Sequence, residues 1–395
     1  MKVLLITGEF PPMEGGIGDY TRALGQALAA SGNDVHVLTS VHAGPASGLT
    51  VHPIVKRWGW GSWRTLRTLL EREQPDVVHI QYQAAAYAMH PAVNLLPRWV
   101  RARSHSGRHR PRLVVTFHDL RVPYLFPKAG AVRRKVVLEL ARSSDASITT
   151  NRADHEQLTR ELGPVARPPT LIPISSAIIP HLPAEYHRDA WRARFGAAPG
   201  DLLVCHFGFV NARKGIETLL DALHLLATRY GDEVNARLLM MGGRTGDSDP
   251  TNVAFLERIE AQIEHLGLGE RVHWTGYLAP RDVSACFAAA DLCAFPFRDG
   301  VSFLHSSFHT ALIHGVPVVT TEPRPPLPEL IDGENVLLVA PGDPQALAQA
   351  LLRLVGDELL RRRLGAGALA LSTLFRWDRI AADTLALYHA VGAGT

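Results

Sequence analysis

The chain has 395 residues, of which 46% are hydrophobic and 20% are charged, and its formal net charge at pH 7 is +3. This balance is typical of a folded protein with two domains, and it excludes a membrane span, which needs about 18 uninterrupted apolar residues. The three cysteines, Cys205, Cys286 and Cys293, are odd in number and lack metal-ligand spacing, so we expect buried reduced thiols rather than disulfides or a zinc site.

Short apolar runs alternate with amphipathic stretches along the first half of the chain. This rhythm predicts a parallel, doubly wound sheet. The predicted strands are residues 2–7, 35–39, 77–81, 113–117 and 146–149. The chain enters the first strand directly, without the pattern of a secretory signal, so we expect a cytoplasmic protein.

A glycine-rich loop, Gly8 to Tyr20, follows the first strand and precedes a helix predicted from about Thr21 to Ala30. Such a loop lets a ligand approach the backbone, although a merely flexible turn is the alternative. The glycine spacing does not fit a dinucleotide fingerprint, and the second strand ends without a carboxylate for a ribose. We therefore expect a ligand-facing loop and no nicotinamide cofactor.

Two histidines lie on neighbouring predicted strands. His118 follows Phe117 at the carboxyl end of its strand, where parallel α/β sheets present ligand contacts, so a substrate contact and a structural role are both open. His79 lies within an apolar run, and we interpret it as a core residue.

The first half is also strongly basic. Residues 1–172 hold 22 Lys and Arg against 13 Asp and Glu, a net charge of +9, and the remainder has −6. Residues 98–112 include six arginines, but no nucleic-acid motif accompanies them. We expect an anionic or lipid-linked partner, a membrane surface or a simple gain in solubility, and no nucleic acid. Trp58, Trp60 and Trp63 follow two cations and indicate either an interface contact or ordinary helix packing.

The rhythm breaks at residues 165–180, which contain four prolines, and resumes at Leu202. We place the domain boundary there, with a second doubly wound domain after it. Its predicted strands are residues 202–207, 237–241, 272–274, 292–295, 316–320 and 336–338. A closing helix, residues 377–389, follows the apparent end of the second sheet and is expected to pack back on the first domain.

Residues 207–215 have the features of an anion site. A strand ends at Gly208, and the loop finishes with Arg213 and Lys214 before the next helix. Glycine permits close approach, and the positive end of a helix adds to the two cations. A phosphate is the expected ligand. The alternative is that Arg213 and Lys214 are simply solvated and bind nothing.

A second strand-to-helix segment follows Phe295. Ser302 is a predicted N-cap of a helix that contains Phe303 to His314, whose first amides would meet the same anion as Lys214. Glu329 is the carboxylate best placed for hydroxyl groups. Asp247 and Asp249 superficially resemble a metal-binding pair, but their polar surroundings predict a solvated loop.

Taken together, these segments resemble the family 4 (group 1) retaining glycosyltransferases nearly from end to end, and they follow the family's order. The resemblance implies two facing Rossmann-like domains, the GT-B fold. It also implies a nucleotide-diphosphate sugar donor, retention at the anomeric carbon and no bound cofactor or metal. The matching segments are Gly15-Gly16, 76–79, 117–119, 172–175, 213–215, 241–243, 275–277, 314–319, 332–335 and 375–377.

The resemblance implies domains at 1–172 and 201–374, a linker at 173–200, and residues 375–395 packing on the first domain. It makes His118 and Lys214 the catalytic candidates. The loop between acceptor and donor is Gly15, Gly16, Gly18 and Tyr20. The implied donor contacts are Gly208, Arg213, Lys214, Tyr277, Asp299, Ser302, Leu304, His305, Ser306, Thr310 and Glu329.

The sequence departs from the family at several positions, among them Phe303, Leu304 and His305, which replace a glycine-rich turn. Phe209 stands in place of an arginine, and Ser302 and Thr310 stand in place of two glutamates that contact the sugar and the ribose. Arg213 is a candidate replacement for the lost cation, and Asp299 for one lost carboxylate. The alternatives are a non-catalytic nucleotide-sugar-binding subunit of the same fold and, less favoured, a nucleotide-sugar epimerase. The acceptor is unidentified, and a peripheral contact with the inner membrane face is compatible with the basic first half.

Overall fold

The computed structural model describes residues 1–395 except Glu14, 104–109, 121–129, 165–166, 232, 244–249 and 393–395. The chain divides into two compact units, Met1–Ile174 with Arg376–Thr395, and Ser175–Phe375. Residues 175–200, for which the sequence suggests a linker, belong to the second unit and contain a helix. The predicted polar loop at Asp247 and Asp249 lies outside the described residues.

The first unit is built on a parallel sheet whose described part has seven strands in the order β3-β2-β1-β4-β5-β6-β7. Its strands are β1 (Lys2–Ile6), β2 (Asp34–Ser40), β3 (Thr50–Val55), β4 (Val77–Tyr82), β5 (Arg112–Phe117), β6 (Ala146–Thr149) and β7 (Thr170–Leu171). Its helices up to residue 174 are α1 (Gly16–Ala30), α2 (Ser62–Glu73), α3 (Leu96–Arg103), α4 (Gly130–Ser143) and α5 (Arg152–Leu162). The five predicted strands are confirmed, whereas β3 and β7 were missed. Pro53 interrupts the apolar pattern of β3, which is tolerated because β3 lies at the sheet edge.

The second unit repeats this plan. Its strand order is β10-β9-β8-β11-β12-β13 among the described residues, and the pairs are parallel. The strands are β8 (Leu202–Phe207), β9 (Ala236–Met241), β10 (Val272–Trp274), β11 (Leu292–Phe295), β12 (Val318–Thr321) and β13 (Leu337–Val339). The helices are α6 (Arg188–Arg194), α7 (Ile216–Arg229), α8 (Pro250–His265), α9 (Pro280–Ala289), α10 (Ser306–Ile313), α11 (Pro344–Gly356) and α12 (Glu358–Ser372). The predicted fold class, two doubly wound α/β domains, is confirmed.

Each sheet is buried on both faces, which explains the nearly continuous apolar strands in the sequence. In β1, Val3 and Leu5 contact one layer of helices, and Leu4 and Ile6 contact the other. All three cysteines of the second unit are buried thiols, as predicted. The carboxyl ends of the strands then lead into the loops that hold the candidate site residues.

The closing helix, α13 (Trp377–Gly392), belongs to the first unit and contacts α1 and β5. Ile380 and Tyr388 are fully buried in the same core layer as Val3 and Leu5. The Tyr388 hydroxyl lies 2.6 Å from Nδ1 of His79, and Nε2 of His79 lies 2.7 Å from the Thr116 hydroxyl. His79 is therefore a satisfied core residue, as the sequence indicated.

Candidate functional site

The site in the second unit begins at Gly208, directly after β8. Its φ of +119° lies in the region that favours glycine. A Cβ built on Gly208 would lie 3.3 Å from Nζ of Lys214 and 3.7 Å from Cβ of Ser307. The positive φ favours glycine here, and the absence of a side chain leaves room for the lysine amine beside this backbone.

A short 3-10 turn, Ala212–Lys214, positions that amine. The Asn211 side chain caps the turn by accepting a hydrogen bond from the Arg213 amide at 3.1 Å. Nζ of Lys214 donates to Oγ of Ser307 at 2.8 Å and lies 5.2 Å from the centre of the Phe297 ring. Burial disfavours the charged form and lowers the pKa of Lys214 to about 8. Ser307 and Phe297 are neutral, so this half-buried cation gains from an arriving anion.

The helix that meets this cation is α10, which begins at Ser306 with His305 as its N-cap. The prediction that Ser302 caps a helix containing Phe303 is therefore wrong. Ser302 instead closes a separate turn: its hydroxyl accepts from the Leu304 amide at 3.3 Å, and its own amide donates to Nδ1 of His305 at 3.2 Å. The turn holds the His305 ring stacked on Phe297, with 3.7 Å between the ring centres.

Ser307 and Phe297 are functional candidates that the sequence reasoning missed. Both are buried, and both contact the lysine amine. Ser307 is 93 positions from Lys214 in the chain, so only the pairing of β8 with β11 brings them together. Had the helix start been predicted at Ser306, Ser307 would have fallen in the first turn and would have been a candidate contact of the anion.

The other predicted donor contacts lie in different environments. Arg213 and Asp299 are exposed, and the Tyr277 side chain is 69% exposed. Leu304 and Glu329 are half-buried, and Ser306 is exposed at the first position of α10.

Thr310 differs from these residues because it is only 2% exposed. Its hydroxyl donates to the Ser306 carbonyl at 2.9 Å and lies 2.9 Å from the Ser176 hydroxyl. A hydroxyl engaged in this way has little capacity left for a ribose. Phe209, at the position where the resemblance predicts an arginine, lies against Gly243, where an added Cβ would come within 2.7 Å of the ring.

In the first unit, the glycine-rich loop surrounds a carboxylate that the sequence reasoning also missed. The helix α1 begins at Gly16 with Gly15 as N-cap, five residues earlier than predicted. Oε1 of Glu9 accepts hydrogen bonds from the amides of Ile17 at 3.2 Å and Gly18 at 3.4 Å. Burial raises the pKa of Glu9, and the two amide hydrogen bonds oppose that rise.

Gly15 has a steric role in this arrangement. A Cβ added to it would lie 2.1 Å from Oε1 of Glu9, so a larger residue would displace the carboxylate. The glycines of this loop therefore make room for a side chain of the protein itself. The sequence shows both the loop glycines and a Glu just after the first strand, but it does not show that this Glu contacts the amides of Ile17 and Gly18.

His118 lies near the same helix. Its Nε2 is 2.9 Å from Oε1 of Gln81, at the end of β4, and the Tyr20 ring meets it edge-on with 4.7 Å between the centres. Burial lowers the pKa of His118 to about 3, so the ring is neutral at physiological pH. Since the Gln81 oxygen accepts a hydrogen bond, Nε2 carries the proton and Nδ1 keeps its lone pair. His118 and Tyr20 are thus brought together. Nδ1 of His118 is suited to accept a hydrogen bond from a hydroxyl group.

The tryptophans of the first unit are mainly packed. Nε1 of Trp58 donates to the Gly8 carbonyl at 3.3 Å, and Nε1 of Trp63 donates to the Ala92 carbonyl at 3.1 Å. Trp60 is 50% exposed and contacts Trp63 and His90 edge-on. Among the described residues, none of the helices is long and apolar enough to cross a bilayer.

Comparison with known proteins connects both units to one family of enzymes. The Glycosyltransferase Family 4 model matches residues 14–174, and the model described as Glycosyl transferases group 1 matches residues 201–357. The D-inositol 3-phosphate glycosyltransferase of Xylanimonas cellulosilytica is 29% identical, with 95% of this chain and 91% of that protein covered. The mannosylfructose-phosphate synthase of Agrobacterium fabrum is 28% identical over 63% of this chain and 54% of its own length.

Solved structures show the same fold. A sucrose-phosphate synthase from Thermosynechococcus elongatus superposes with a TM-score of 0.72 at 24% identity, and both chains are covered completely. Anabaena HepE in complex with UDP superposes with a TM-score of 0.70 at 18% identity, covering 98% of this chain and 100% of the other. At these identities the superpositions support the two-domain architecture, and the site residues must be argued from their own geometry.

Proposed function

We propose, because this chain belongs to the glycosyltransferases of family 4 and group 1, that it moves a sugar from a nucleotide-diphosphate donor to an acceptor hydroxyl. The proposal includes retention at the anomeric carbon and a reaction that needs no metal or other cofactor. The observation that carries it is the position of the Lys214 amine, 2.8 Å from Ser307 in the first turn of α10. A cation and the positive end of a helix then act on the same anion.

The chemistry requires charge stabilisation more than a protein nucleophile. As the bond between the sugar and the diphosphate breaks, negative charge grows on the leaving group. The protonated Lys214 amine and the first amides of α10 would stabilise that charge without reorganising. Because Gly208 has no side chain, the phosphates would be able to approach the amine across its backbone.

We assign His118 to the transferred sugar or the acceptor. Because the ring is neutral, it would act through a hydrogen bond from a sugar hydroxyl to Nδ1 and not as a cation. Gln81 fixes that tautomer, and Tyr20 fixes the ring plane. Replacing His118 with Ala should lower the transfer rate while leaving nucleotide affinity nearly unchanged.

For the acceptor we propose an anionic or lipid-linked molecule. Residues 1–172 have a net charge of +9, which favours an anion. The relatives named D-inositol 3-phosphate glycosyltransferase and mannosylfructose-phosphate synthase support phosphorylated acceptors as the first to test. A lipid-linked acceptor would add a peripheral membrane contact, which sedimentation with anionic liposomes measures.

A non-catalytic nucleotide-sugar-binding subunit is the second candidate, and one observation favours it. The two glutamates typical of the family are absent, and the hydroxyl that replaces one of them, on Thr310, is engaged by Ser306 and Ser176. Such a subunit would bind the donor without turnover.

One experiment separates the two candidates. A panel of nucleotide sugars is screened for thermal stabilisation, and the best binder is then incubated with phosphorylated polyols and lipid-linked sugars. We expect a glycosylated product, whose anomeric configuration is read by NMR and should match that of the donor. Binding without transfer or hydrolysis would favour the subunit, and inversion would remove the retaining mechanism.

A further inference from the structure

A cluster of metal-ligating side chains lies in the first unit, away from the candidate site. His36 is on β2, His52 is on the edge strand β3, and Glu73 is the last residue of α2. Nδ1 of His36 lies 2.9 Å from Nε2 of His52 and 3.7 Å from Oε2 of Glu73. One ligand atom from each of the three residues lies within 4.8 Å of the other two.

A fourth residue orients this cluster. Oδ1 of Asp34 lies 3.2 Å from Nε2 of His36, on the side of the ring away from His52. When the carboxylate accepts a hydrogen bond from one ring N–H, the other ring nitrogen keeps its lone pair, which faces the cluster. This pairing of carboxylate, histidine and metal is how proteins fix the tautomer of a ligating imidazole.

Two cations compete for the same groups. Nε of Arg72 lies 2.7 Å from Oε1 of Glu73, and Nη2 of Arg72 lies 3.3 Å from Nδ1 of His52. Lys2 Nζ lies 3.5 Å from Oε2 of Glu73. The contact of Arg72 with Glu73 leaves Oε2 directed at His36. The contact with His52 opposes metal binding, because Nδ1 must carry the proton when Nε2 holds an ion.

We propose that Nδ1 of His36, Nε2 of His52 and Oε2 of Glu73 bind a divalent transition-metal ion, with water completing the coordination. Two imidazole nitrogens and a carboxylate oxygen form a donor set that suits Zn²⁺. Bonds of about 2.1 Å in a tetrahedron place neighbouring ligand atoms about 3.4 Å apart, so the two ring nitrogens, now 2.9 Å apart, need to separate by about half an ångström. Arg72 is 60% exposed, so it can leave His52 and retain Glu73.

The position of this cluster separates it from sugar transfer. Asp34 and Lys2 begin their strands, and Glu73 ends the helix before β4, so the cluster lies towards the amino ends of the strands. The candidate site residues of this unit, His118 and the loop after β1, follow the carboxyl ends. A metal here would link β2, β3 and α2 and stabilise the fold, without taking part in the reaction.

The test is calorimetric titration of tag-free, chelator-treated full-length protein with ZnCl₂, because a polyhistidine tag would bind the ion. We expect saturable binding at one ion per chain and a rise in the thermal midpoint with Zn²⁺. Co²⁺ should give the visible absorption bands of a low-coordinate site. His52→Ala should weaken Zn²⁺ binding at least 100-fold, and Glu73→Gln about tenfold, whereas His42→Ala, which removes an exposed histidine near β2, should leave it unchanged.

Arg72→Ala gives an effect of the opposite sign. It removes the competing donor at Nδ1 of His52 and a positive charge, so Zn²⁺ should bind several-fold more tightly. Equal affinity in the wild type, His52→Ala and Glu73→Gln proteins would overturn the proposal, as would wild-type protein that shows no saturable binding. The cluster would then be a hydrogen-bonded chain from Arg72 through both histidines to Asp34. Because Arg72→Ala changes an exposed residue and Glu73→Gln keeps the shape of its side chain, the test stands even if His52→Ala folds poorly.

Discussion

The loops after β1 and β8 occupy equivalent places in the two units but carry opposite charges. After β1, the amides that open α1 donate hydrogen bonds to the carboxylate of Glu9. After β8, the loop instead brings the Lys214 amine to Ser307 at the start of α10. In both loops a glycine makes the contact possible, since a Cβ on Gly15 or Gly208 would meet the charged group.

This difference shows that a glycine-rich strand-to-helix loop is not by itself an anion site. A helix end satisfied by the protein's own carboxylate repels a phosphate, whereas a helix end with a half-buried amine attracts one. The side chain that fills the loop decides its function. The comparison predicts that changes in the loop after β8 affect nucleotide binding strongly and that changes in the loop after β1 affect mainly stability.

The largest expected effect is that of Lys214→Ala. Removing a charged donor to the diphosphate should cost about 2 to 3 kcal/mol, which is roughly 30- to 150-fold in the Kd of the nucleotide sugar selected by the screen. Isothermal titration calorimetry measures it. Arg213→Ala is the matched control, because Arg213 is adjacent but exposed, and its effect should stay below about threefold. If Arg213→Ala weakened binding more than Lys214→Ala does, Arg213 and not Lys214 would be the main ligand of the diphosphate. Arg213 would then replace the arginine that the family has at the position of Phe209.

The next effect is the pH dependence of the same binding. The pKa of Lys214 in the free protein is about 8, and a bound diphosphate raises it. At pH values well below 8 the amine is protonated in both states, so affinity is constant. Above pH 8 the free protein must take up a proton to bind, so affinity should fall by up to tenfold per pH unit.

Titrations at pH 8.5 in buffers of different ionisation enthalpy would reveal the proton uptake. In the Lys214→Arg variant the side chain stays charged, so its affinity should be flat between pH 7 and 9. A wild-type profile as flat as that of Lys214→Arg would contradict the assignment of the buried amine to the diphosphate.

A smaller effect is expected for Gly208→Ala. The added Cβ would lie 3.3 Å from the Lys214 amine and force a φ of +119° on alanine. We expect a loss of about 1 to 3 kcal/mol in stability and a weakening of nucleotide binding by about tenfold. Gly32→Ala is the control for backbone strain alone, because Gly32 has a φ of +83° and open space around its Cβ position. If Gly32→Ala also weakened nucleotide binding, the weaker binding of Gly208→Ala would be due to backbone strain in general and not to its contact with Lys214.

The sequence predicted the sheets well because strands buried on both faces are nearly continuous apolar runs. It also identified Gly208 and Lys214, whose chemistry is local: a strand end, a glycine and a cation before a helix. It missed Ser307, Phe297 and Glu9 because their roles depend on contacts between distant segments. It placed the start of α10 too early because hydrogen bonds between Ser302 and His305 close a separate turn.

The smallest expected effect concerns Glu9. Burial raises the pKa of its carboxyl in the folded protein above the usual 4.5, so the ionised form costs stability at neutral pH. That cost declines as the pH falls through the folded pKa, and it is gone below the unfolded one. Glu9→Gln should therefore raise the thermal midpoint at pH 7 by about 1 to 2 °C and leave it unchanged in acid. Glu156→Gln, at an exposed position in the same unit, should change neither midpoint.

The sign of this change in the midpoint tests whether the loops after β1 and β8 differ as argued above. If Glu9→Gln instead lowers the midpoint at pH 7, the attraction between the carboxylate and the amides of Ile17 and Gly18 outweighs the cost of burial. The loop after β1 would then be an anion site filled by the protein itself, physically equivalent to the one after β8. The two loops would differ only in the source of the anion, and Glu9→Ala protein should gain measurable affinity for inorganic phosphate, because the amides of Ile17 and Gly18 would then be free to donate to it.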